Sequence, residues 1–257
     1  MIEKKYISPI LNKIRNDNFE SDLKLAHNLS VDYINKVDNM RVYPDEQSIR
    51  NLSIFDEDLS DEPENTRDIL NKLDKYGSPA TVAQTGGRYF GFVNGGIFPS
   101  ALCSKRLTDA WDQNAALYVI SPVASKIEDV CERWLKNLLK LPEATVAGFV
   151  SGSSTATLCG LVAGRNYLLS KMDYDVTKDG LFNAPQVKVI VGDGAHSTIY
   201  KALSIIGLGN ERITKVPSDD QGRIVADNIP ELDDKTLLIL QAGNVNSGAF
   251  DDFSTIC

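Results

Sequence analysis

The hydrophobic pattern is most informative between Thr145 and Arg165, where two different periods meet. Residues 146–150 form a short apolar run, residues 151–155 are only Ser, Gly and Thr, and apolar residues then return at helical spacing. A short apolar run before such a turn is typical of a buried strand, and the later spacing is typical of a helix. We therefore predict a strand at 146–150, a tight turn, and a helix over 155–170.

Three more short apolar runs follow this helix, at 187–191, 213–216 and 237–240. Helical or loop stretches separate them, which is the pattern of strand–helix–strand units in a parallel sheet. Ligands bind such sheets at the carboxyl ends of the strands. The residues that follow the predicted strands, at 151–154, 193–196 and 242–246, are therefore where a site is expected.

The N-terminal part of the chain is polar and is predicted to be helical as far as about residue 75. His27 lies on or beside the apolar stripe of one such helix, and we interpret it as a packed side chain. The acidic residues between 56 and 64 are interpreted as a solvated loop and helix start, so no metal site is predicted. The stripe consists of Leu23, Ala26, Val31 and Ile34.

The character of the sequence changes at 84–100, which is rich in glycine and aromatic residues. Tightly turning backbone beside aromatic rings suits a pocket wall, although the rings also suit a core. A strongly amphipathic helix is predicted between Ile127 and Leu139, ending before Pro142. We predict an N-terminal helical segment over 1–85 and a second domain over 86–257.

Composition changes this picture mainly by excluding partners. The formal net charge of −8 gives no basic excess to offset phosphate repulsion, so nucleic acids and anionic membranes are excluded as general partners. No run approaches the roughly 18 apolar residues of a membrane span, and the N-terminus shows no apolar signal segment. A cytoplasmic, globular protein is therefore predicted.

The predicted turn at 151–155 is a candidate anion site. Backbone N–H groups at a helix start lack helical partners, and with nearby hydroxyls and the positive end of the helix dipole they favour an anion such as phosphate. The same residues also suit an ordinary helix start that Ser or Thr caps. The turn lacks the Lys-Ser/Thr of a P-loop and the second glycine of a nucleophile elbow. His196, which follows another predicted strand, is expected at the same edge of the sheet.

Seven short motifs occur in order between residues 86 and 251. They are Arg88-Tyr89-Phe90-Gly91-Phe92, Ser121-Pro122 with Glu128 and Trp134, Phe149-Val150-Ser151-Gly152-Ser153-Ser154, Ala195-His196-Ser197 with Lys201-Ala202, Gly207-Leu208-Gly209, Gly222-Arg223, and the run 242–251. In this order they resemble the group II pyridoxal-phosphate-dependent decarboxylases, which include aromatic amino acid, tyrosine and glutamate decarboxylases.

The resemblance implies an α/β, type I aminotransferase-like fold and an intertwined homodimer that the segment 1–85 helps to form. It also implies that pyridoxal 5'-phosphate is bound by the larger domain, of which residues 86–257 are the first part. It implies that Ser153 and Ser154 hold the cofactor phosphate. It also implies that His196 stacks on the pyridine ring and guides a proton, and that Asn246 lines the far side of the ring. Three further residues are implied beside the substrate: Phe92, Asn94 and, near the pocket of the partner subunit, Asn114.

Two groups that the family's chemistry requires lie beyond Cys257 in the family pattern. One is an aspartate that keeps the pyridine nitrogen protonated, and the other is the lysine of a His-Lys motif that forms the Schiff base. The chain is therefore expected to be a truncated or split portion, inactive alone, with a C-terminal half as a candidate partner. Only about four strands of an incomplete parallel sheet are expected, which leaves a sheet edge exposed.

The predicted activity is decarboxylation of an L-amino acid, with an aromatic substrate favoured slightly over glutamate. Phe92 and Phe98 suit either an apolar substrate pocket or a core, and Arg88 suits either an acidic substrate or a structural motif. One alternative is a non-catalytic phosphate-binding and dimerisation module. Another is a pyridoxal-phosphate enzyme of different reaction type, an aminotransferase or a lyase.

Overall fold

The computed structural model describes residues 19–257, so the first eighteen residues of the predicted N-terminal segment lie outside the described part of the chain. The chain divides into two compact units, Met1–Trp111 and Asp112–Cys257. The predicted boundary after residue 85 therefore falls inside the first unit. Contacts made by the following residues explain this, because the Gly87 N–H donates to Asp38 Oδ1 at 3.0 Å and Arg106 Nη2 donates to Ser30 Oγ at 2.9 Å.

The first helix described in the first unit is α1 (Phe19–Lys36), which confirms the helix predicted from the apolar stripe. Its Tyr33 Oη lies 2.7 Å from Thr81 Oγ1. His27 is exposed, with Nδ1 3.2 Å from Arg106 Nη1, so its interpretation as a packed side chain is wrong. The other α-helices described in this unit are α2 (Glu46–Asn51), α3 (Thr66–Lys72) and α4 (Pro99–Trp111).

The second unit is an α/β structure with a parallel sheet, as predicted. Its elements are α5 (Pro122–Leu139), α6 (Ser153–Lys171), α7 (Val176–Asp179), β1 (Lys188–Gly192), α8 (Ser197–Ile205), β2 (Ile213–Val216), β3 (Thr236–Ile239) and α9 (Phe253–Ile256). The strand order is β2–β1–β3, and both pairs are parallel. Val189 lies opposite Ile213 on one side and Leu237 on the other.

The core of this unit is centred on β1, which is buried on both faces. Successive side chains of a strand point to opposite faces. Val189 accordingly packs with Leu161 of α6 and Leu203 of α8, whereas Ile190 packs with Val216 on the other face. Burial on both faces explains why these strands are continuous apolar runs in the sequence.

The predicted strand at 146–150 is wrong. These residues belong to no ladder, and Val146 is 82% and Phe149 48% exposed. A strand needs a hydrogen-bonded neighbour, and no described residue supplies one. The Ala147 N–H donates instead to Glu132 Oε2 of α5, at 3.0 Å. The sheet therefore has three strands within residues 19–257, rather than about four.

The predicted amphipathic helix is confirmed as α5. It ends where Lys140 adopts a left-handed conformation, φ +53°, just before Pro142. No residue of α5 is buried, and Leu138 on its apolar face is 77% exposed. Within residues 19–257 nothing covers this face fully, and none of the helices there is long and apolar enough to cross a membrane.

An ion pair joins the start of β1 to the turn before β3. Lys188 Nζ lies 2.5 Å from Asp233 Oδ2, and this hydrogen bond, with a second from Thr236, lowers the pKa of Asp233 from 3.8 to about 2. Folding therefore favours the ionised carboxylate, so its stabilisation is present above the unfolded pKa and is lost as the pH falls towards 2.

We expect the urea midpoint of the chain to fall between about pH 4 and about pH 2, and to fall less steeply for Asp233→Asn. Asp234→Asn, at the neighbouring carboxyl, is the matched control and should follow the unchanged chain. Equal slopes for the chain and Asp233→Asn would contradict this assignment.

Candidate functional site

A cavity of about 250 Å³ opens at the carboxyl ends of all three strands. This is the edge at which ligands bind parallel sheets, and it is where the sequence predicts a site. Its walls are formed by Thr157, Val191, Gly192, Gly194, Ala195, His196, Thr198, Ile199, Ser218, Gly222, Ile224, Ile239, Leu240, Gln241, Ala242 and Asp251.

His196 is the titratable ring on this cavity, and its own helix fixes its orientation. It is the N-cap residue of α8, and its Nδ1 accepts a hydrogen bond from the Thr198 N–H at 3.3 Å. Because a backbone N–H can only donate, the neutral ring carries its proton on Nε2. The cap therefore fixes the orientation of the ring at the cavity wall through Nδ1 and does not use Nε2.

The start of α6 has no side-chain cap. Gly152 occupies the N-cap position, and the first backbone bond of the helix runs from the Ala156 N–H to its C=O at 3.1 Å. The N–H groups of Ser153 and Ser154 precede that bond and so lack helical partners. Both serines are exposed, and Thr157, one turn further along α6, lines the cavity. The alternative of an ordinary helix start capped by Ser or Thr is not what the structure shows.

Asp251 is a buried carboxylate in the cavity wall, only 6% exposed. Its Oδ1 accepts the Ile224 N–H at 2.8 Å and its Oδ2 accepts the Gln241 N–H at 2.6 Å. One side chain thus ties the end of β3 to the segment that follows β2.

The segment after β2 turns tightly beside the cavity. Asp219 Oδ1 accepts the N–H groups of Gln221 and Arg223, both at 2.9 Å, and the backbone N–H of Arg223 is the main reason that the pKa of Asp219 lies below its usual value. Gly222 completes the turn with φ +79°, and a Cβ there would overlap the side-chain amide of Asn244. The turn therefore needs glycine for its conformation and for its close neighbour.

We expect Gly222→Ala to lower the free energy of unfolding by about 2 kcal/mol, because it adds left-handed strain and a steric conflict. Gly209→Ala is the matched control, since Gly209 has a similar φ of +76° with open space around it. It should cost only the conformational part, about 1 kcal/mol. Urea unfolding measures both, and equal losses would show that the Asn244 contact is unimportant.

Of the residues predicted at the site, only His196 is among those that line this cavity, and the other six lie elsewhere. Ser153 and Ser154 lie at the start of α6, one turn before Thr157. Asn246 is exposed in the loop after β3, where its N–H donates to Asn244 Oδ1 at 2.9 Å. Asn114 is exposed and its Oδ1 accepts the Ala116 N–H at 3.0 Å. Phe92 and Asn94 belong to the first unit, where Phe92 is 92% exposed with φ +54°. Phe92 therefore does not fill the core of that unit, and the roles of all the predicted site residues stay predictions.

Three residues that line the cavity were not predicted as site residues from the sequence: Thr157, Gly222 and Asp251. Thr157 follows Ser153 by four positions, so helical spacing alone places both on one face. Gly222 and Asp251 belong to motifs noted in the sequence, but their roles depend on contacts between distant loops. Within residues 19–257 no group of three His, Cys, Asp or Glu side chains is placed to hold a metal ion.

Comparison with known proteins identifies the family of the chain. The family model described as the pyridoxal-dependent decarboxylase conserved domain matches residues 47–257. Aromatic-L-amino-acid decarboxylase of Sus scrofa is 26% identical over 211 residues, which are 78% of this chain and 42% of the pig protein. Acidic amino acid decarboxylase GADL1 of Xenopus tropicalis is 23% identical over 181 residues, which are 66% of this chain and 34% of that protein.

Solved structures share the fold. Mouse CSAD in its apo form superposes with a TM-score of 0.78 at 20% identity, over 92% of this chain and 51% of the mouse chain. The chain thus spans about half, or less, of the length of the relatives it matches. The family model nevertheless covers most of the residues, including the whole cavity wall. The chain belongs to the pyridoxal-dependent decarboxylase family, whose members use pyridoxal phosphate.

Proposed function

We propose that this chain supplies the cofactor-binding face of an enzyme that decarboxylates an L-amino acid with pyridoxal 5'-phosphate. The observation that carries the proposal is the cavity at the strand ends, which is lined by His196 and by Thr157 of α6, a helix whose start has no side-chain cap. The family match supports the reaction class. The homodimer, with residues 1–85 contributing to it, is part of the same proposal.

The start of α6 suits the cofactor phosphate. Ser153 and Ser154 offer N–H groups without helical partners, together with exposed hydroxyls, at the positive end of a 19-residue helix. A side-chain cap would have occupied one of these N–H groups, and none does. We therefore assign phosphate binding to these two serines.

His196 suits the ring of the cofactor. Its imidazole is held at the cavity wall by the Thr198 N–H, so a planar ligand can stack on it without a change in the α8 cap. When bound, pyridoxal phosphate supplies the electron sink for loss of the carboxyl group. His196 contributes orientation, by stacking, and holds or moves a proton at Nε2. Asn246 is proposed on the far side of the ring.

The substrate is proposed to be an aromatic L-amino acid, with glutamate as the second candidate. The exposed ring of Phe92 is available to an apolar side chain, and Asn94 and Asn114 are proposed beside the substrate. Arg88, the residue that would favour an acidic substrate, donates from Nη2 to the Met40 C=O within its own unit. That bond supports a structural role for Arg88 and hence the aromatic preference.

Reconstitution tests this function. The chain is combined with pyridoxal phosphate and the part of the pig decarboxylase that follows the matched region, and carbon dioxide release from L-tryptophan, L-tyrosine and L-glutamate is measured. We expect release only when both polypeptides are present, and faster release from the aromatic substrates. His196→Ala should lower the rate about 100-fold, whereas His27→Ala, at the other histidine of the chain, should leave it unchanged.

Two outcomes would contradict the proposal. One is a complex that holds the cofactor but releases no carbon dioxide, which would favour a non-catalytic binding module. The other is release that His196→Ala leaves unchanged. Amino-group transfer without carbon dioxide would instead identify an aminotransferase.

A further inference from the structure

We propose that the side-chain hydroxyl of Thr198 is the group that holds the His196 imidazole in place at the cavity wall for the ring of the cofactor. Thr198 acts through His196 and not on the reacting atoms, so it is a positioning residue. The proposal rests on the proposed function, because it concerns how the ring that is assigned to the cofactor is oriented.

Two donors of Thr198 converge on one nitrogen of the His196 ring. The Thr198 N–H lies 3.3 Å from Nδ1, and Thr198 Oγ1 lies 2.9 Å from the same atom. Since the N–H can only donate, Nδ1 is the unprotonated nitrogen, and the hydroxyl also donates to it. The N–H contact is longer than is usual for a protein hydrogen bond, whereas the hydroxyl contact is within the usual range. The hydroxyl is therefore the stronger of the two contacts with the ring.

Histidine is an unusual residue at the N-cap of a helix such as α8. Ser, Thr, Asp and Asn are preferred there, because their side-chain oxygen accepts from the free N–H groups of the first turn. The short helix α7 shows the same arrangement with a preferred residue, since Asp175 Oδ1 accepts the Thr177 N–H at 3.0 Å and the Thr177 hydroxyl at 2.6 Å. An aspartate would cap α8 equally well. Capping alone therefore does not explain the histidine, and the arrangement serves to fix its ring.

The two side chains differ in how freely they can move. His196 and Thr198 both line the cavity, but His196 is exposed and Thr198 is half-buried. Rotation of an imidazole about χ2 has only broad preferences, so an exposed histidine needs a contact to hold its ring. Thr198 is a stiff anchor, because branching at Cβ restricts its χ1. The less mobile side chain thus fixes the more mobile one.

A ring that is fixed beforehand binds a planar ligand more tightly than a mobile ring. The reason is that the side-chain freedom is lost on folding and not on binding. Loss of the Thr198 hydroxyl should therefore weaken stacking of the pyridine ring of the cofactor on His196. It should leave the phosphate contacts assigned to Ser153 and Ser154 in place.

The first measurement examines the ring in the full chain without ligand. The chain has two histidines, so its imidazole NMR signals are few, and His27→Ala identifies those of His196. We expect the order parameter of the His196 ring to be about 0.85, the value of a rigid group, and to fall below about 0.6 in Thr198→Val. The Nδ1 resonance should move at the same time towards that of a nitrogen without a hydrogen bond.

Three further variants separate this role from a general structural effect. Thr198→Ser keeps the hydroxyl and should keep the His196 ring rigid. Thr177→Val removes the corresponding hydroxyl of α7 and should leave the His196 ring unchanged. Urea unfolding shows whether each variant folds, and Thr198→Ala removes the same hydroxyl if Thr198→Val does not fold.

The second measurement is the binding of pyridoxal, which has the ring of the cofactor but no phosphate. Equilibrium dialysis should show an affinity about fivefold lower for Thr198→Val, because binding must then immobilise the imidazole. Thr198→Ser should stay within about twofold of the unchanged chain.

The proposal is overturned if the His196 ring is equally ordered in Thr198→Val, or if Thr198→Ser loosens it as much. It is also overturned if the ring loosens without any loss of pyridoxal affinity. An unchanged chain that binds neither pyridoxal nor pyridoxal phosphate would contradict the proposed function, and the order parameter would still decide whether Thr198 holds the ring.

Discussion

Leu203→Ala is expected to lower the free energy of unfolding by about 4 kcal/mol. Leu203 lies on α8, is 0% exposed, and packs with Val189 of β1 and Leu161 of α6. Removing its side chain loses the transfer free energy of the buried carbons and leaves a cavity where three elements meet. Urea unfolding measures the loss.

The control for this variant is Leu138→Ala on α5. Leu138 is 77% exposed, so the same change there should alter the free energy of unfolding by no more than about 0.5 kcal/mol. Similar losses for the two variants would mean that the core is not centred on β1 and α8.

Asp251→Ala is expected to cost about 3 kcal/mol. The change removes the acceptor of both the Ile224 and the Gln241 N–H, and leaves these donors without a partner beside the cavity. The end of β3 and the segment after β2 would separate, so amide exchange of both N–H groups should speed up.

Asp252→Ala is the matched control, because the neighbouring carboxylate is exposed and accepts the N–H and the hydroxyl of Thr255, both within the short helix α9. Its loss of stability should be clearly smaller, and exchange at Ile224 and Gln241 should not change. Equal effects of the two variants would show that Asp251 does not hold the end of β3 and the segment after β2 together.

The strands and helices around the cavity could be predicted from the sequence because their burial leaves a clear apolar pattern. A strand that is buried on both faces is a continuous apolar run, and a helix that packs on a sheet has apolar residues at helical spacing. β1 is a continuous apolar run, and α8 follows it with His196 at the strand end, so the position of that histidine could also be predicted. The apolar pattern is enough to predict these elements because the elements that they pack against lie in the same chain.

The prediction of a strand at 146–150 was wrong because these residues have no such neighbour. Its sequence is that of a buried strand, but no strand within residues 19–257 pairs with it. The interpretation of His27 as a packed side chain was wrong for a similar reason, because a position on an apolar stripe does not show whether another element covers that stripe. The role of Asp251 could not be predicted, since its two donors lie 27 and 10 residues away in sequence.

The central claim is that α6 and His196 form a pyridoxal-phosphate site, and the binding of two ligands to the chain alone tests it most directly. Pyridoxal phosphate and pyridoxal differ only in the phosphate, so equilibrium dialysis of each isolates its contribution. We expect tighter binding of pyridoxal phosphate. Ser153→Ala with Ser154→Ala should weaken it about tenfold without affecting pyridoxal, and Ser170→Ala, near the other end of α6, should have no effect. Equal binding of the two ligands, or unchanged binding of pyridoxal phosphate by the double variant, would contradict the account.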